Sequence, residues 1–112
     1  MSTNKYLCMY RGAPGNTKPS PAQMQEMFAA YKEWQEKFKV NILDMGSKLK
    51  SSGRVLTASG VTDGPFAEAK EIVAGFMILG ADDYAGAVAV VTAMPGMQMP
   101  GACVEIRELA AY

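Results

Sequence analysis

Histidine is absent from the 112 residues. Imidazole is the one side chain whose ordinary titration falls near neutral pH. Without it, this chain offers no imidazole general base, no Ser-His-Asp or Cys-His pair and no His-ligated metal. Cysteine is almost as scarce: Cys8 and Cys103 stand far apart and make no disulfide framework. Both are expected to be reduced thiols, and buried cysteine is commonly plain core. No apolar run approaches the roughly 18 residues that cross a bilayer, and no signal-peptide core opens the sequence, so a cytoplasmic protein without a membrane partner is expected. Charge of one sign is also missing, since 11 basic residues meet 11 acidic ones. That balance gives no general pull towards nucleic acid or anionic lipid. The glycines match neither a phosphate-binding loop nor a dinucleotide fingerprint. Neither a cofactor nor a metal is expected.

What is present suits one folded domain spanning residues 1–112. Surface scaling for 12.0 kDa leaves about 6,000 Å² exposed of about 17,000 Å², and 49% hydrophobic residues can fill that single core. Tyr6 to Tyr10 is short, aromatic and β-leaning, a first strand. Gly12 to Asn16 forces a loop. Ser20, Pro21 and Gln23 form a capping box with proline at the first helical position. Apolar residues from Met24 to Phe38 recur at spacings of three and four, which predicts a helix to about Lys39, with Trp34 in the core or an interface. Leu43 to Leu49 reads as a second strand. Arg54 to Thr57 is a short hairpin arm, with a bend at Ala58-Ser59-Gly60. Ile72 to Leu79 is apolar throughout and reads as a strand, Asp83 to Met94 as a second helix, and Cys103 to Leu109 as a last strand. Met94, Met97 and Met99 are expected to pack as a flexible apolar loop rather than ligate a metal.

This order is α+β, specifically the ferredoxin-like βαββαβ arrangement with helices on one face of an antiparallel sheet. The third core strand carries an assembly inference. A sheet covered on one side should be polar on the other, yet Ile72, Ala74, Phe76 and Ile78 are as apolar as Val73, Met77 and Leu79. A second copy of the chain is the economical cover, so a homodimer packed through its sheets is expected.

The sharpest local sequence is Asp63-Gly64-Pro65-Phe66-Ala67-Glu68, followed by Ala69-Lys70-Glu71. Asp-Gly-Pro suits a tight turn, with Phe66 as its apolar anchor and the charges as a solvated run. The functional alternative makes Asp63 a general acid or base at the mouth of a pocket.

This segment closely resembles the signature of the YCII-related family, in its DGPF-domain branch. The resemblance extends to Tyr6–Tyr10, the helix after Ser20-Pro21, Gly75-Phe76, Ala81-Asp82-Asp83 and Val104–Arg107. It implies a ferredoxin-like fold that dimerises into an α+β barrel, in small soluble bacterial proteins mostly without an established function. Some relatives are thought to be enzymes on small molecules, with a His-Asp pair. Lacking histidine, this chain can carry over only the aspartate, at Asp63. Ala69 and Ala74 replace a usual threonine and glycine.

Other polar groups suit a pocket between sheets. Tyr6, Cys8 and Tyr10 share one face of the first strand, and Cys103, Glu105 and Arg107 one face of the last. If both sets face the dimer cavity, Tyr10, Phe66, Glu105 and Arg107 would contact a small polar or anionic ligand. The plain alternative is a cross-strand patch or an interface ion pair. Arg11 reads as a solvated loop charge. Five basic residues from Lys37 to Arg54 oppose Asp44 alone, but without interleaved aromatics or a recognition motif, so no nucleic-acid partner is expected. Two functions fit. One is a homodimer that binds a small polar organic molecule beside its sheet, with Asp63 driving cofactor-free elimination or isomerisation. The other is a non-catalytic binding or regulatory module.

Overall fold

The computed structural model describes residues 4–12, 20–50, 52–64, 72–97 and 101–110. In chain order these form β1 (Asn4–Gly12), α1 (Pro21–Lys37), β2 (Ile42–Lys48), β3 (Gly53–Thr57), β4 (Gly60–Gly64), β5 (Ile72–Ala81), α2 (Tyr84–Thr92) and β6 (Cys103–Glu108). The main sheet runs β2-β5-β1-β6 with every neighbouring pair antiparallel. With β3 and β4 set aside, this is the ferredoxin-like βαββαβ order. The β3–β4 hairpin is inserted between β2 and β5 and forms a sheet of its own.

Local chemistry sets the element ends. Ser20 Oγ accepts from the Gln23 backbone N–H at 3.2 Å, and Gln23 Oε1 accepts from the Ser20 N–H at 2.8 Å, closing the capping box. Asp83 caps α2, accepting from the Gly86 N–H at 2.8 Å. In β2, the ladder to β5 breaks between Asp44 and Ser47. There Asp44 Oδ1 accepts from the Gly46 N–H at 2.7 Å, and Gly46 takes a positive φ of 65°. A Cβ at Gly46 would run into the Phe76 backbone carbonyl. Only glycine allows that approach of the edge strand to β5.

One face of the sheet holds the core. Tyr6 and Cys8 from β1 and Met77 and Leu79 from β5 are fully buried there, joined by Val90, Val91 and Met94 behind them. Val104 and Ile106 of β6 and Ile42 of β2 pack against the same core. Trp34 joins α1 to α2, its indole N–H donating to the Val90 carbonyl at 2.9 Å. Trp34 is therefore core, and Met94 and Met97 likewise pack on the core, while Met99 lies outside the described residues. The molecule measures 45 × 44 × 19 Å. A sheet and one helix layer, about 10 Å each, account for the short dimension. Among the described residues, nothing covers the second face.

Two substitutions test this arrangement. Gly46→Ala should destabilise the fold by roughly 2–4 kcal/mol in urea unfolding, because both φ and backbone contact oppose a Cβ. Trp34→Phe should cost about 1–3 kcal/mol, since the Val90 carbonyl loses its buried donor and the indole leaves unfilled space.

Candidate functional site

Antiparallel pairing decides which side chains meet. β1 and β6 align Leu7 with Arg107, Met9 with Glu105 and Arg11 with Cys103, and equally Cys8 with Ile106 and Tyr10 with Val104. Directly paired residues share a face. Tyr6, Cys8 and Tyr10 therefore lie on the helix side, whereas Cys103, Glu105 and Arg107 lie on the open side. The two sets expected to line one cavity are on opposite faces of the sheet. The expectation treated the strands' polar faces as matched, and register alone reverses that. Cys8 is buried and Cys103 exposed on the far side, so the two thiols are not juxtaposed.

Tyr10 is partly buried, with its hydroxyl donating towards Met77 Sδ and Met94 Sδ, each at 3.7 Å. Burial, assisted by Tyr31 and Cys8, pushes its phenol up to about 12. Burial alone pushes the Cys8 thiol up to about 11. Both are uncharged at neutral pH, as suits groups in an apolar core.

The open face has an apolar centre and a charged flank. Leu7 and Met9 of β1 pair with Ile78 and Phe76 of β5, and all four are partly buried without belonging to the core clusters. Beside them, Arg11 Nη1 donates to Glu105 Oε1 at 2.7 Å. They are diagonal neighbours across β1 and β6, a spacing that long side chains bridge. Arg107 is exposed on the same face. Arg11 is thus a strand residue held by a carboxylate, not a solvated loop charge. Its odd-numbered alternation with Leu7 and Met9 was the available sign; the following glycine and proline concealed it.

Asp63 sits elsewhere. It pairs with Arg54 across the β3–β4 hairpin, with Arg54 Nη1 3.3 Å from Asp63 Oδ1 and the aspartate side chain 92% exposed. Asp63 and Gly64 are the last residues of a strand rather than a tight turn. Gly64 serves close packing, since a Cβ there would come within 2.5 Å of Val55 Cγ2. Phe66 and the charges that follow it lie outside the described residues. Two clefts, of about 360 and 340 Å³, open beside α2, one at Asn41 and Asp82 and the other at Trp34 and Pro95. Neither is lined by Tyr10, Asp63, Glu105 or Arg107.

The described residues therefore gather one polar constellation from the expected set, Glu105 and Arg107, with Arg11 added. A guanidinium pair flanking a carboxylate on an apolar floor can hold a small molecule bearing a carboxylate and hydroxyl or amine groups. No helix among the described residues is long and apolar enough to cross a membrane. No curated protein matches the sequence. The model of the YCII-related domain, however, matches residues 5–110, nearly the whole chain, and every strand of the main sheet falls at least largely within that span: the chain belongs to the YCII-related family.

Proposed function

We propose that the chain works as a cytoplasmic homodimer that covers its open sheet faces and binds a small polar organic molecule beside them. The observation that carries this reading is the uncovered apolar centre at Leu7, Met9, Phe76 and Ile78, with Arg11, Glu105 and Arg107 on its flank. Two free thiols suit a reducing compartment. The motif Asp63-Gly64-Pro65-Phe66-Ala67-Glu68 supports the DGPF-domain branch of the family and bacterial origin.

Arg107 and Arg11 supply fixed positive charge for a carboxylate, and Glu105 accepts from a hydroxyl or amine. Asp63 is the acid–base group of a cofactor-free elimination or isomerisation on that ligand. Binding without turnover is the second reading. It is favoured by one observation: within its own chain Asp63 points into solvent beside Arg54, remote from the Glu105 flank in the strand pairing.

Light scattering at micromolar concentration should return twice the 12.0 kDa of one chain, and a monomer there would defeat the reading. A metabolite screen by thermal shift supplies the ligand: at a hundredfold its Kd, a ligand adds about 2.7 kcal/mol to the native state. Arg107→Ala should then weaken that ligand at least tenfold, and unchanged affinity would remove Arg107 from the site. Asp63→Asn separates the two readings, abolishing turnover in the first and leaving affinity intact in the second.

A further inference from the structure

The β3–β4 hairpin does little within its own chain. It shares no strand pairing with the main sheet, and the hydrogen bonds formed by the described side chains of β3 and β4 stay within the hairpin. A lone two-stranded hairpin is marginal in water and ordinarily needs a packed face. One face of this hairpin carries Leu56 paired with Val61, 76% and 61% exposed, then Arg54 paired with Asp63. An exposed cross-strand apolar pair beside an ion pair is a surface shaped for covering. Its own sheet is not the cover. A hairpin folded across the open face would add a third layer, and the molecule is only 19 Å thick.

The open sheet face has the matching composition. Its apolar floor at Met9 and Phe76 suits Leu56 and Val61, and its charges are complementary: Arg11 and Arg107 for Asp63, Glu105 for Arg54. Resting on the homodimer reading above, we infer that each β3–β4 hairpin crosses to the second copy, lays Leu56 and Val61 on its open sheet face and brings Asp63 beside Arg11, Glu105 and Arg107 of that copy. The binding site is then composite: the acid comes from one chain and the guanidinium pair from the other. Each hairpin gains the packed face that it lacks, and each open face gains its cover. The arm also gives a place to Asp63, which lines neither of the two clefts described above.

The test uses the full chain. Leu56→Asp with Val61→Asp alters side chains that the protomer already exposes, so far-ultraviolet circular dichroism should not change. Analytical ultracentrifugation should show the dimer dissociating at least a hundredfold more readily. In a second arm, chains carrying Val61→Cys and chains carrying Met9→Cys, both with Cys103→Ser, are co-expressed under different tags. Mild oxidation with copper phenanthroline should give a covalent dimer bearing both tags. If the wild type is a dimer but the aspartate variant dimerises equally well, or the cysteine variants yield no doubly tagged species, the crossing hairpin is overturned and the dimer stands. A monomeric wild type overturns the dimer itself.

Discussion

Strand β1 is the member on which the rest depends, because it alone bonds to β5 on one side and β6 on the other in consecutive register. Successive side chains of a strand point to opposite faces, so the parity of β1 dictates the parity of its neighbours. Even positions Tyr6 and Cys8 vanish completely into the helix-side core, whereas odd positions Leu7, Met9 and Arg11 face outward. A slip of one residue would send Arg11 inward and expose the Tyr6 ring. The bulge after Tyr10, where Arg11 realigns with Val73, ends this strict pairing at the charged flank.

That parity makes the two faces unequal in what they require. The helix face is filled: Trp34 has its carbonyl, Tyr10 has its thioethers, and Tyr6 packs edge-on against Tyr84 at 4.9 Å, its buried hydroxyl alone of these three polar groups meeting no hydrogen-bond partner among the described residues. The open face keeps hydrophobic side chains beside the Arg11–Glu105 ion pair. With both partners about a third exposed, Arg11–Glu105 contributes at most about 1 kcal/mol to the protomer. Its consequence is geometric, because it fixes a guanidinium and a carboxylate at a known spot on an otherwise greasy surface. Such a pair would discriminate between partners of the proposed interface more than it stabilises the chain.

Much of the fold was legible from sequence because its signals are local. The Ser20-Pro21-Gln23 box, the 3.6-residue spacing through Trp34, the Asp83 start and the two-faced apolar strand each report on neighbouring residues, and each element formed within a few positions of its expected bounds. The site was less legible because it depends on register, a long-range property. Alternation within β6 correctly grouped Cys103, Glu105 and Arg107, but nothing in either strand announces that Met9 rather than Tyr10 stands opposite Glu105. Asp63-Gly64 shows the same limit. Its residues favour a turn in isolation, yet pairing with Arg54 and Gly53 holds them extended, and glycine is used there for proximity to Val55.

The missing histidine acquires a different meaning beside this geometry. Arginine stays charged at every accessible pH, so the cationic part of the open face is constant. The groups that burial moves strongly, Tyr10 to about 12 and Cys8 to about 11, move further from neutrality rather than towards it. Neither offers a proton switch at physiological pH. On the proposed reading, recognition at this surface would rest on fixed charge and shape, and the variable open to the chain would be how completely water is excluded from it. Water exclusion on a bare sheet face is a matter of what covers that face. In the proposed homodimer, assembly would take the place that imidazole titration holds in other proteins: it would set the strength of the charged contacts on this face by setting the dielectric in which they are made.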